Sequence, residues 1–207
     1  MSKTKLAFVC NSCGVSQPKW AGQCPDCGSW NSLTETIISK AKHGGGAYSG
    51  YAGATQAQVQ TLSEVDTEEH QQFTSGINEL DRVLGGGVVK GSVILIGGDP
   101  GIGKSTLLLQ SFAFLSDKFK VLYITGEESL NQVKLRAVRL GVSDKAISML
   151  SETNLESILR IIEKEQPEIV VMDSIQTCYS EELSSAPGTV SQIKECAGSL
   201  VRLAKQT

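Results

Sequence analysis

The sequence predicts an α/β domain, a parallel sheet with helices on both faces, preceded by a small four-cysteine module. Three observations predict it. Short apolar runs alternate with helix-patterned segments from Phe73 onward, and repeated βα units imply a parallel sheet covered by helices. One run opens directly into a glycine-rich stretch ending in Lys-Ser. Near the start, four cysteines stand in two C-x-x-C pairs.

Composition sets the class. Hydrophobic residues at 40% and charged residues at 20% are ordinary for a soluble globular chain. No apolar run reaches the length of about 18 residues that spanning a membrane needs. "MSKTKLAFVCNSCG" has no apolar core of signal-peptide length, so a cytoplasmic protein is expected. Six cysteines in such a chain point to metal binding or buried thiols rather than disulfides. A formal charge of −3 gives no general basic signal, so any nucleic-acid contact is local or made by other segments.

Three zones follow in order. Residues 1–33 hold four cysteines and both tryptophans. Residues 34–72 are rich in Gly, Ala, Ser and Gln, and read as a linker with one short strand in "VQTLSEV". Residues 73–207 carry the α/β pattern. "SVILIGG" is a continuous apolar run ending in glycines, expected as a buried parallel strand. Lys104–Ser116 is expected as a helix, and "KVLYITG" as the next strand. Ser129 and Gln132 form a capping box before a helix with Val133, Ala137 and Leu140 on one face. A short strand is expected near Ile147–Leu150. Thr153 and Glu156 read as a second capping box, before Leu155, Ile158, Leu159 and Ile162 at helical spacing and Pro167 at the close. "EIVVMDS" is the fourth strand. A polar loop leads to a helix from about Thr189.

The stretch Gly98-Asp99-Pro100-Gly101-Ile102-Gly103-Lys104-Ser105 fits G-x-x-x-x-G-K-[ST], with Thr106 following. Glycines let the backbone wrap phosphates and turn its N–H groups inward. Lys104 is expected to reach the β- and γ-phosphates, and Ser105 to hold Mg²⁺. Asp173 ends "IVVMD". Ligands of open parallel sheets bind at the carboxyl ends of strands, which places Asp173 to meet Mg²⁺ through water; the alternative is a simple cap for the next turn. Glu127 and Glu128 follow "YITG" at the same edge. One of them, with Glu127 nearer the strand, could polarise the attacking water. Alternatively both only favour the N-terminus of the next helix. The chain contains neither N-K-x-D nor D-x-x-G, which favours ATP over GTP.

Cys10, Cys13, Cys24 and Cys27 have the spacing of a tetrahedral Cys₄ zinc site, and each pair is followed by glycine. A closed site of this kind holds a fold rather than performing catalysis. Redox or iron–sulfur roles are the alternatives. Trp20 and Trp30 are expected to pack around the metal, with a partner or DNA contact as the second reading. Cys178 and Cys196 are expected as buried, inert thiols. His43 and His70 fall in the linker.

"TSGINELDRVLGGGVVKGSVILIGGDPGIGKST", "YITGEES" and "IVVMDSIQT" resemble a RecA-type ATPase core, and with the knuckle in front the chain resembles the RadA (Sms) family of bacterial DNA repair and recombination proteins. That resemblance implies a RecA-like P-loop sheet and an ATP-driven motor on single-stranded or branched DNA. It implies branch migration of recombination intermediates, RecA recombinase as partner, and a homo-hexamer in the full-length protein. It implies Glu127 as the water-activating residue and a loop from about Ser180 to Gln192 lying toward DNA. On charge alone that loop is poorly suited: Glu181 and Glu182 repel phosphates, and Lys194 and Arg202 are the better candidates. The family continues into further core strands, a Lys-Asn-Arg-Phe-Gly motif and a domain like that of Lon proteases. The core is therefore expected to be incomplete at Thr207. Two other readings stay open: a RecA-type switch ATPase of signalling or clock type, and a chain that binds ATP and partners without turnover.

Overall fold

The computed structural model describes residues 5–38, Thr61 and residues 72–206. The possible strand in "VQTLSEV", together with His43 and His70, lies outside them apart from Thr61.

The first unit is a three-stranded antiparallel sheet. β1 (Lys5–Cys10) is central, between β2 (Ser16–Gln17) and β3 (Leu33–Ile38). Its small core is Cys10, Cys24 and Leu33, with Phe8, Cys13, Val15 and Ala21 packed against them.

The second unit begins with β4 (Gln72–Phe73), α1 (Asn78–Val83) and β5 (Val88–Val89), the two strands pairing antiparallel. Asp81 fastens this piece. It accepts from the Ser75 amide at 2.8 Å and from the Thr74 hydroxyl, and the side-chain and backbone donors of Ser75 and Thr74 hold its carboxyl below the usual range.

α2 (Lys104–Leu115), β6 (Val121–Thr125), α3 (Leu130–Arg139), β7 (Ile147–Ser151), α4 (Leu155–Glu165), β8 (Ile169–Asp173) and α5 (Val190–Gln206) complete it. The parallel sheet runs β7-β6-β8. All five residues of β6 are buried, which is what "VLYIT" in the middle of a two-sided sheet requires. The chain steps outward from β6 to β7, then returns across β6 to β8. With right-handed crossovers, that reversal puts the two connecting helices on opposite faces. Leu109, Phe112 and Leu115 of α2 and Val133 and Ala137 of α3 pack with Val121, Tyr123 and Val171. Leu155, Ile158 and Ile162 of α4 and Cys196 of α5 pack with Leu122, Ile124 and Cys178. The sheet thus has helices on both faces, as expected. Cys178 and Cys196 are buried, and burial above all pushes both thiols up.

Two expectations are corrected. Ser92–Gly98 forms no β-ladder among the described residues, and Val93, Ile94 and Leu95 stay exposed, Leu95 at 84%, with Ile96 half-buried. A strand exists through its neighbours' hydrogen bonds, and no described segment pairs with this one. The second capping box also shifts by one residue. Asn154, not Thr153, is the N-cap, its Oδ1 accepting from the Ser157 amide at 2.8 Å. Glu156 turns away to the Ser180 hydroxyl at 2.6 Å. The Ser129–Gln132 capping box forms as expected.

Candidate active site and metal centre

Gly98 to Gly103 bend sharply, with φ of 80° at Gly101 and 104° at Gly103, and the loop leads straight into the first turn of α2. Lys104 Nζ donates to the carbonyls of Gly98 (2.7 Å) and Asp99 (2.9 Å). The lysine therefore lies across the mouth of its own loop.

Residues 121, 123 and 125 of β6 share one face with 169, 171 and 173 of β8, because side chains alternate along a strand. It is the face that α2 covers. Asp173 therefore stands on the side from which the phosphate loop springs. Register pairs it with Thr125, and the next residues, Gly126-Glu127 and Ser174, leave the sheet at the same carboxyl edge. The Ser174 hydroxyl donates to Glu127 Oε1, tying the exposed glutamate to the residue after Asp173. Gly126 makes this possible: a Cβ there would fall 2.0 Å from Thr177 Oγ1. The buried Thr125 hydroxyl closes the turn, donating to Glu128 O and accepting from Glu128 N.

The two glutamates part company. Glu128 forms an ion pair with Arg136 of α3 at 2.5 Å. Its Oε2 and Arg136 Nη1 are both buried without a further hydrogen-bond partner among the described residues. On the other side of Asp173, the phenol of Tyr123 donates to Asp173 Oδ2 at 2.5 Å. Burial first, and then Asp173, push the Tyr123 phenol well above its usual range, so it remains a donor.

Sequence reasoning did not single out Tyr123, Ser174 or Arg136. Nor did it find Gln192, whose buried amide accepts from Ser180 N and donates to the carbonyls of Ser180, Leu183 and Ser185, so that it folds the polar loop onto α5. Of the two basic candidates on that helix, Arg202 pairs with Glu195 at 3.4 Å, and Lys194 reaches Cys13 O at 3.4 Å.

The four cysteines converge. Their sulfurs all lie within 4.8 Å of one another, with Cys10–Cys27 at 3.6 Å and Cys13–Cys24 at 3.7 Å. A tetrahedron with Zn–S bonds of about 2.3 Å has edges of about 3.8 Å, so the set fits zinc. Gly14 and Gly28 take left-handed φ of 77° and 72° and hydrogen-bond back to Cys10 and Cys24, which lets each pair aim at one point. Led by Ser32, the neighbours of Cys10 draw its thiol down to about 5 against its own burial, and Ser29 leads in lowering Cys27. At Cys13 the Val15 amide favours the thiolate, but burial and the sulfurs of Cys27, Cys10 and Cys24 prevail and push it up to about 12. Thiolates in the set are the form a metal takes. The tryptophans depart from expectation. Trp20 is 57% exposed and Trp30 72%. The core cluster among the described residues, Cys10, Cys24 and Leu33, does not include the indoles, whose edges lie near Gly22.

Two family models match. Residues 8–35 match a rubredoxin metal-binding domain of zinc-ribbon type, and residues 73–149 match the KaiC ATPase family. The chain is 53% identical over 207 residues to DNA repair protein RadA of Pseudomonas aeruginosa, covering 100% of this chain and 45% of that one. It is 50% identical over 206 residues to RadA of Bacillus subtilis (99% and 45%) and 52% identical over 204 residues to RadA of Escherichia coli (97% and 44%). It thus spans less than half the length of these relatives. Among the described residues, no helix is long and apolar enough to cross a membrane. Along its whole length, the chain matches the bacterial RadA proteins, as a zinc ribbon followed by part of a RecA-like ATPase core.

Proposed function

We propose that this chain is the ATP-binding part of a DNA repair and recombination motor that binds single-stranded or branched DNA and drives branch migration by ATP hydrolysis. The observation that carries the reading is the hydrogen bond from Ser174 to Glu127 beside Asp173. It draws a candidate metal carboxylate and a candidate water-activating carboxylate to one sheet edge, on the side of the phosphate loop. Gly98, Asp99, Pro100, Gly101, Ile102, Gly103, Lys104, Ser105 and Thr106 cradle the phosphates. Lys104 exchanges its two loop carbonyls for β- and γ-phosphate oxygens. Ser105 and, through water, Asp173 would hold Mg²⁺, which would supply charge neutralisation at the phosphates. Glu127, exposed and not ion-paired among the described residues, orients the attacking water; Glu128, committed to Arg136, supports the turn. The zinc ribbon holds its module folded. In the full-length protein we expect a homo-hexamer working with RecA recombinase.

The match to KaiC over residues 73–149 favours a second reading, a switch ATPase of clock or signalling type. The zinc ribbon and the likeness to RadA proteins weigh against it. The test is extension of RecA-made joint molecules by the full-length protein. Wild type is expected to lengthen them when ATP is supplied, and Lys104→Ala is not. Extension by Lys104→Ala at the wild-type rate would refute the reading.

A further inference from the structure

Tyr123 has no place in the machinery described so far. A tyrosine in the middle of a buried strand ordinarily serves as core, and Tyr123 does pack with Leu109, Phe112, Val133 and Val171. Yet it is fully buried, and a buried hydroxyl needs a partner. Its partner is not a backbone carbonyl of its own sheet. It is Oδ2 of Asp173, on the neighbouring strand and the same face, two positions along from the residue paired with Tyr123. Diagonal neighbours of this kind are within reach of a long aromatic side chain.

We propose that Tyr123 is a positioning residue for the ATPase reaction: its phenol holds one oxygen of the Asp173 carboxylate and thereby fixes the orientation in which the other is offered to the magnesium site. The proposal rests on the reading that Asp173 serves Mg²⁺. Among the described residues, it is Tyr123 that donates a hydrogen bond to the Asp173 side chain. Without it, the carboxylate at the strand's end is free to rotate about its χ angles, and its fixed presentation is lost. The ring itself is clamped by α2 and α3, so the donor is held in place before nucleotide or metal arrives. The tie also links the helix that carries the phosphate loop to the strand that carries the aspartate.

The experiment measures binding of a fluorescent non-hydrolysable ATP analogue to the full-length protein as Mg²⁺ is titrated. Wild type is compared with Tyr123→Phe, Asp173→Asn and Val133→Ala, alongside thermal melting. Tyr123→Phe is expected to raise the Mg²⁺ midpoint about tenfold to a hundredfold, the size of one lost hydrogen bond to a charged group. Binding without Mg²⁺ should be unchanged. Val133→Ala loosens the same core without touching Asp173, so it should lower the melting temperature and leave the midpoint alone. If Asp173→Asn shifts the midpoint and Tyr123→Phe does not, the proposal is wrong while the magnesium reading stands. If Tyr123→Phe and Val133→Ala shift it alike, packing explains the effect and the proposal is overturned. If Asp173→Asn has no effect, the magnesium reading fails and takes the proposal with it. Should Tyr123→Phe not fold, a fluorotyrosine at position 123 changes donor strength at nearly constant volume. A moved midpoint then supports the proposal, and an unmoved one refutes it.

Discussion

Gly126 carries much of the geometry at the sheet edge. Its Cβ would collide with Thr177 Oγ1 at 2.0 Å, and its amide donates to Asp173 O at 3.0 Å. Gly126→Ala is therefore expected to destabilise the protein by about 1–3 kcal/mol, as overpacking does, and to slow ATP turnover by moving Glu127 relative to Asp173. Adding Thr177→Ala should recover part of the loss in a denaturant titration, because the Thr153 methyl and the Cβ of residue 177 stay close at 2.9 Å; simple additivity of the two changes would count against the clash. Glu127→Gln is expected to keep ATP binding and abolish turnover, whereas Glu128→Gln should chiefly cost stability through Arg136. Equal turnover defects in the two would contradict the division of labour. At this scale the sequence made the places of Lys104, Asp173 and the glutamate pair legible, because Lys104 follows the glycine loop at the start of α2 and the carboxylates stand at or just after the ends of two apolar strand patterns. Tyr123 was illegible because its strand context is that of a core residue, and what sets it apart is a cross-strand partner 50 positions away.

The elements were legible where local chemistry decides them. Ser129 and Gln132 sit three residues apart before an amphipathic run, and the reciprocal cap forms. At α4 two adjacent residues could each cap, and tertiary contact chose: Glu156 is drawn to Ser180, so the box with Thr153 does not form, and Asn154 takes the role. Asn154→Ala should cost about 1 kcal/mol in chemical denaturation, within the usual range for a lost cap. Thr153→Ala should cost distinctly less, and the reverse order would contradict the assignment. Ser92–Gly98 shows the limit of an apolar pattern. It tells what a segment would bury, but not which segment supplies its ladder. The clasp on α1 gives a pH prediction. Asp81 is held below its usual range in the folded state, so its stabilisation is present above the unfolded carboxyl range and fades as pH falls through the folded value. The stability gap between wild type and Asp81→Asn should therefore be wide at pH 7 and narrow steadily in acid, and a gap independent of pH would dismiss the clasp.

In the whole molecule two units stand on different physics. The ATPase segment buries two apolar clusters, one on each face of its sheet. Among the described residues the core cluster of the cysteine module is Cys10, Cys24 and Leu33, so a metal is expected to supply what this core does not. Cysteine spacing alone made that module legible; the exposure of Trp20 and Trp30 was not, because spacing says nothing of how much core surrounds a metal. Chelation or Cys24→Ser should release about one zinc per chain. Amides of β1 and β3 should then exchange rapidly while those of β6 stay protected. Iron or no metal in the wild type would refute the zinc assignment. Above the two units stands the claim that nucleotide hydrolysis here is coupled to DNA. Its most direct test is steady-state ATP turnover by the full-length protein with and without single-stranded DNA. Stimulation by DNA, lost in Lys104→Ala and Glu127→Gln, is the predicted result; robust turnover indifferent to DNA would contradict it.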